Sequence, residues 1–246
     1  MKRGSERKDI FHYLNNEDQP DKPSPPLKRL LDEGVLAIVA GSDTTSSALT
    51  SLAFLLVAHP PVLKRLQEEI DHYYPPGEDP CNAKHYRDMH YLTAVIHETL
   101  RLYPPVPSGM HRMVPHHGPG VMLGSYYVPA GTSIRLLARA LARRRRRLPF
   151  SDALSKAPIA NAQLGTKSEM AFVHNDGAFI PFSHGPANCV GKQLAMQEMR
   201  TVVCALLQKF DMWAREGWDV REYDRGFNDY FITTRPEVPV VLSVRT

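Results

Sequence analysis

The sequence predicts a mainly α-helical domain with small β-sheets. Three observations point there. Helically spaced apolar residues fill most of the chain before Pro104, short β-type runs broken by Gly and Pro follow between about 106 and 133, and one further helical run precedes a strand-rich tail. Helices, strands, a helix and strands again, with no internal repeat, is the order of an α-dominated fold carrying minor sheets.

Residues 1–26 are a polar, Pro-rich lead-in. Within it "RKDIFHYL" reads as a short helical piece, and Pro23, Pro25 and Pro26 stop regular structure from crossing. A helix is expected from about Leu27 to Ala58, ended by His59-Pro60-Pro61. The next, about Pro61 to His72, starts with Pro in its first turn and places Val62, Leu63, Leu66 and Ile70 on one face. A third, about Tyr91 to Tyr103, is stopped by Pro104 and Pro105. "VMLGSYYVPAGTSI" gives short strands divided at Gly124 and at Pro129-Ala130-Gly131. Val190 to Phe210 is expected as a helix, and "DYFITTRPEVPVVLSVR" as a hairpin around a Pro-containing turn. Residues 135–169 fit none of this: they carry five consecutive arginines, Arg143 to Arg147, then turn Ala/Ser-rich without strand periodicity.

Composition excludes several classes. The 246 residues are 43% hydrophobic and 23% charged, with net charge +4, which is ordinary for a globular protein. A nucleic-acid binder would carry clustered Lys and Arg on one face with aromatics between them, and a net charge of only +4 does not suggest one. Three scattered cysteines, Cys81, Cys189 and Cys204, make neither a disulfide framework nor a zinc site and fit a reducing compartment. The apolar stretch Val35 to Ala58 is interrupted by "GSDTTSS", and the N-terminus holds no apolar run, so no anchor or signal peptide is expected.

Three stretches carry chemistry. In "FSHGPANCVG", Phe182, Gly185, Cys189 and Gly191 precede an amphipathic helix. A thiolate there would sit at the positive end of the helix dipole, and the glycines would let backbone pass close to a flat partner. A structural Cys in a turn is the plainer reading of a lone cysteine, and the full spacing argues against it. "AGSDTT", Ala40 to Thr45, puts poor helix formers inside a long helix. It reads either as a polar face or Ser/Thr kink, or as a site. Glu98 and Arg101 of "ETLR" would by themselves be a surface pair worth ~0.2–0.5 kcal/mol. His111, His116 and His117 read as a solvated loop, lacking any carboxylate or Cys at ligand spacing. The arginine run reads as a solvated segment, with phosphate binding as the other option.

The Cys loop resembles the haem-ligand loop of the cytochrome P-450 monooxygenases. The resemblance implies that Cys189 is the thiolate ligand of haem iron (iron protoporphyrin IX), with Phe182, Gly185 and Gly191 shaping the loop. "AGSDTT" resembles the family's central-helix motif, which implies that Ala40 and Gly41 leave room for O2 and that Asp43 and Thr44 relay protons. "HETLRLYPPVP" resembles the family's Glu-x-x-Arg helix, where Glu98 and Arg101 would be a buried structural pair holding the Cys loop. The family usually has a basic residue two before the Cys, bonding a haem propionate. Here it is Ala187, and the resemblance implies a second propionate contact just after the Pro-rich segment, for which His111 and Arg112 are the candidates.

The resemblance covers about 28 to 133 and 171 to 246, the C-terminal part of the fold with the N-terminal half missing. The family's Pro-Glu-Arg-type motif, which completes a network with the Glu-x-x-Arg pair, is not found: the only Glu between 134 and 181 is Glu169, followed by Met170. A shifted frame or retained intron over 135–169 is the expectation. The organisation implied is a lead-in, 1–26, and a partial P-450 domain, 27–246. The implied function is insertion of one atom of O2 into a small, apolar organic substrate, with electrons passed from NADPH through a reductase. The family is usually anchored at the endoplasmic reticulum, and a chain without an anchor would be cytosolic or peripheral. Two alternatives stay open: a truncated, non-catalytic pseudo-enzyme that binds haem weakly or not at all, and an unrelated helical interaction protein.

Overall fold

Prolines and short turns divide the chain into its helices. The computed structural model describes residues 8–137 and 179–245, so the arginine run and almost all of 135–169 lie outside the described residues. The chain divides into two compact units, Met1–Asp43 and Thr44–Thr246.

In the first unit, α1 (Ile10–Leu14) starts where the Asp9 side chain accepts the His12 amide. The long helix α2 (Leu27–Ala58) begins in this unit and runs into the second without a break.

The second unit holds the core. His59 ends α2, with its ring Nδ1 2.9 Å from the Leu55 carbonyl, and Pro60 and Pro61 open α3 (Pro60–Tyr73). The face carrying Val62, Leu63, Leu66 and Ile70 is buried, as the spacing requires. Helix α4 (His90–Leu102) has no side-chain cap of its own. Glu69 of α3 supplies one instead: its carboxylate accepts the Tyr91 and Leu92 amides at 2.8 and 2.7 Å. Burial pushes the Glu69 carboxyl up, and the two amides oppose that. Helix α5 (Lys192–Lys209) turns Met196, Met199, Val203, Cys204 and Leu207 into the same core and packs on both α3 and α4. A short α6 (Arg221–Arg225) docks through aromatic contacts: Tyr223 stacks on Phe54 at 4.0 Å between centroids, and its hydroxyl lies 2.9 Å from Ser51 Oγ.

Among the described residues, four two-stranded antiparallel sheets accompany these helices. Strand β1 (His111–Met113) pairs with β4 (Ser133–Arg135), and β2 (Val121–Leu123) with β3 (Tyr126–Val128). His111 therefore lies on a strand, exposed but paired opposite Arg135, rather than in a loop. The tail differs from expectation. Strands β6 (Asn228–Tyr230) and β7 (Ile232–Thr234) form a hairpin around Phe231, whose φ is +79°. Strand β8 (Val240–Val244) pairs instead with β5 (Phe210–Ala214), which directly follows α5. The reason is a long-range clamp: Arg245 donates to Asp71 of α3 at 2.8 and 2.6 Å and to the Leu207 carbonyl at 2.7 Å, fixing the end of β8 beside α5. Among the described residues no single helix is long and apolar enough to cross a membrane.

Candidate functional site

The segment from Phe179 to Gly191 is shaped by its own backbone. The Ser183 amide donates to the Ile180 carbonyl (3.0 Å), Asn188 to Gly185 (3.1 Å) and Cys189 to Phe182 (2.9 Å). Ser183 and Gly185 adopt φ of +63° and +86°, reversals that bring residue 189 back onto residue 182. Glycine removes the Cβ penalty at the second of these. Helix α5 then opens at Lys192, two residues later than the sequence suggests, and Gly191 offers its first turn no side-chain cap.

Cys189 is exposed at this corner. A Cβ at Gly191 would stand 3.9 Å from Cys189 Sγ, and one at Gly185 would meet nothing within 4 Å. Val190 and Leu194, beside the thiol in sequence and in the first turn of α5, are exposed apolar side chains. Phe182 packs half-buried against the core, with Lys192 Nζ 5.8 Å from its ring centroid. An open thiol with glycine clearance and uncovered apolar neighbours fits the axial ligand of a flat prosthetic group such as haem. Cys204 offers the contrast: it is buried, and burial above all, with the Glu69 charge adding, pushes its thiol up to about 12.

Glu98 and Arg101 form a two-pronged pair on α4. Arg101 Nε donates to Glu98 Oε2 and Nη2 to Oε1, both at 2.6 Å, with Glu98 only 9% exposed. This pair is better buried than an ordinary i,i+3 surface contact. On α2, Ala40, Gly41 and Asp43 are exposed in the first unit, and a Cβ at Gly41 would meet nothing within 4 Å. Ser42 Oγ lies 3.4 Å from Asp43 Oδ1. Thr44, in the second unit, is half-buried and Thr45 is buried. The helix assignment continues through this polar run.

The structure thus gathers Phe182, Gly185, Cys189 and Gly191 into one loop and joins Glu98 to Arg101. Ala187 is exposed in the loop. His111 accepts from Arg135 Nε at 2.8 Å on the β1–β4 ribbon, with Arg112 exposed beside it.

One residue escaped the sequence reading. His97, directly before Glu98, sets its ring 5.2 Å from that of Phe179, at the root of the Cys loop. The residue is exposed, yet desolvation by the atoms packed near its ring, and after it the charges of Arg200 and Lys192, pull its imidazole below the ordinary histidine range. Its signal in the sequence was slight: a polar side chain on a helix whose neighbours Val95, Ile96 and Glu98 are all buried.

The family model for cytochrome P450 matches residues 2–238. A cytochrome P450 monooxygenase FCK2 of Fusarium pseudograminearum is 32% identical over 240 residues, covering 97% of this chain and 42% of that protein. A cytochrome P450 monooxygenase orf5 of Eupenicillium brefeldianum is 34% identical over 245 residues, covering 99% of this chain and 46% of that one. The chain therefore spans less than half the length of these relatives. The crystal structure of a cytochrome P450DA mutant heme domain superposes with a TM-score of 0.76 at 19% identity, covering 96% of this chain and 50% of that one, which is a likeness of fold.

Proposed function

The chain belongs to the cytochrome P450 family, and we propose that it supplies the thiolate half of a haem monooxygenase. That enzyme inserts one atom of O2 into a small, apolar organic substrate and reduces the other to water, with electrons drawn from NADPH through a reductase. The observation that carries the proposal is the exposed Cys189, held by its own amide to the Phe182 carbonyl at the mouth of α5. Haem bound there supplies the oxygen chemistry, and a thiolate ligand pushes electron density toward the iron.

The chain's own residues do the rest. Cys189 would hold the iron, while Gly185 keeps the loop reversed and Gly191 leaves room beside the thiol. Phe182 anchors it to the core. Ala40 and Gly41 give α2 a low, open surface, and Asp43 and Thr44 hold and pass protons there. Glu98 and Arg101 brace α4. His111 and Arg112 are the candidates for the propionate contact that follows the Pro-rich segment, and Ala187 leaves the one in the Cys loop unfilled. In this reading residues 1–26 are a lead-in to a partial domain, 27–246, and 135–169 are an aberrant segment from a shifted frame or a retained intron, which sequencing of the transcript tests.

Haem titration of the purified chain, followed by the reduced, carbon monoxide-bound spectrum, tests the function. A Soret band at the thiolate position, lost in Cys189→Ser, is expected. A chain that takes up no haem, or a variant with an unchanged spectrum, overturns the proposal in favour of a non-catalytic relative.

A further inference from the structure

Within the second unit, helix α2 is apolar on two opposite sides. One side is covered. Tyr223 stacks on Phe54 and meets the Ser51 hydroxyl, and Tyr103, at the end of α4, sets its ring edge-on to Phe54 at 5.8 Å. Leu49, Ala53 and Leu56 fall on the other side of α2, at i, i+4 and i+7. They line a groove of about 270 Å3 together with Val202 and Leu206 of α5, spaced i, i+4, and Met212 of β5.

The groove is apolar and open at its rim. Leu56 and Met212 are buried, Leu49, Ala53 and Leu206 are half-buried, and Val202 is 44% exposed. Among the described residues that line it, Thr50 carries the one polar side chain. Its hydroxyl donates to the Ser46 carbonyl of its own helix at 2.9 Å, so it is turned away from any guest. Small-molecule sites usually run to ~300–1,000 Å3 and orient the guest with a few placed polar groups. This groove is smaller and holds no polar side chain aimed at a guest. Two helical walls with i, i+4 anchors suit the apolar stripe of a third helix instead. A helix that is apolar on opposite sides is one that belongs inside a domain, and here one of those sides is bare.

The relatives indicate what covers it. This chain is matched almost from end to end, over 97% and 99% of its length, yet it spans only 42% and 46% of those two proteins. It spans 50% of the heme-domain chain on which it superposes. About half of the fold therefore lies outside this chain, while α2, a central helix of the second unit, lies within it.

We propose that the groove between α2 and α5 is a docking surface for the remaining part of the cytochrome P450 fold, taken up as a separate polypeptide that seats the apolar stripe of an amphipathic helix between Leu49 and Ala53 on one wall and Val202 and Leu206 on the other. The proposal rests on family membership and on packing, and not on the reading of Cys189 as an iron ligand.

Sedimentation velocity of the haem-free chain is the test. The chain is mixed with the part of the Eupenicillium brefeldianum relative that lies outside the matched stretch, expressed as its own polypeptide. A one-to-one complex is expected. Val202→Asp puts an unpaired charge at the exposed rim, where it leaves the core of the chain intact. It is expected to weaken the complex about 30-fold or more. Val202→Ala adds no charge and is expected to weaken it less than about fivefold. Ala53→Leu fills the groove from the α2 wall and is expected to act in the same direction as Val202→Asp. Circular dichroism checks that each variant keeps its helices, and if Ala53→Leu does not fold, Val202→Asp against Val202→Ala decides alone. Three results overturn the proposal: no complex with the wild-type chain, a complex that Val202→Asp leaves unchanged, or self-association of the chain that Val202→Asp abolishes, which makes the occupant a second copy. The haem reading is tested separately by the spectrum. A chain that takes up no haem yet forms the complex refutes that reading and leaves this one standing.

Discussion

Arg101→Met is the most informative single perturbation of the scaffold. The substitution keeps an apolar stem of similar length and removes both donors that Glu98 receives at 2.6 Å. The Glu98 and Arg101 side chains are 10% and 22% exposed, so water reaches the stranded carboxylate poorly. Breaking a buried pair from one side costs about 3–5 kcal/mol, and the partial exposure of this one places the expected loss near the lower end, about 3 kcal/mol. For a unit of this size that corresponds to a fall in Tm of roughly 6–12 °C. Urea unfolding gives the free energy and heating gives Tm. The Lys28–Asp32 pair is the internal control, because its side chains are 85% and 63% exposed. Removing it should change stability by no more than about 0.5 kcal/mol. The double variant Glu98→Leu/Arg101→Met should recover most of the loss, since no buried charge remains. A single-variant loss as small as that of the control would refute the reasoning, because it would mean the carboxylate is solvated despite its burial.

Other outcomes follow from the same coordinates. Under native conditions a thiol reagent should label Cys81 and Cys189, both exposed, and reach Cys204 only after unfolding, because burial holds that thiol near 12; three equally fast thiols would contradict this. Gly185→Ala meets no atom within 4 Å but must hold φ near +86°, so it should weaken the loop by about 1–2 kcal/mol of backbone strain, seen as faster amide exchange at Cys189 with little change elsewhere. Tyr223→Phe keeps the stack on Phe54 and loses the hydroxyl contact with Ser51, which still bonds the Ser47 carbonyl at 3.1 Å. The expected loss is about 1 kcal/mol by urea unfolding, and a loss above about 3 kcal/mol would show that the hydroxyl, not the ring, docks α6.

Features set by neighbours in sequence were readable before the structure. Pro60-Pro61 and Pro104-Pro105 end α2 and α4 whatever lies around them, and the helix boundaries fall within a residue or two of the expected ones. The apolar spacing of α3 names its buried face directly. The Cys loop was readable for the same reason. Its two glycines, its Phe and its Cys are placed by a turn that closes within ten residues, through a bond from residue 189 to residue 182.

Features set by distant partners were not readable. The tail was expected to fold on itself around Pro236 and Pro239, yet β8 pairs with a strand some thirty residues earlier. What selects that partner is Arg245 reaching Asp71, on a helix at the other end of the second unit. No local pattern encodes such a choice. Tyr223 is the same case: its environment is Ser51, Phe54 and Tyr103, all from segments before the β-strands. His97 lies between the two classes. The motif that names Glu98 and Arg101 includes it, but its neighbours Phe179, Lys192 and Arg200 come from the far side of the loop. A motif identifies residues that act on a ligand or on each other. It is silent on a residue whose surroundings are assembled from distant segments, because those neighbours leave no signature beside it in sequence. The ring that meets Phe179 at the foot of the Cys189 loop is therefore of the kind a family pattern leaves unmarked, and it appears only once the packing there is laid out.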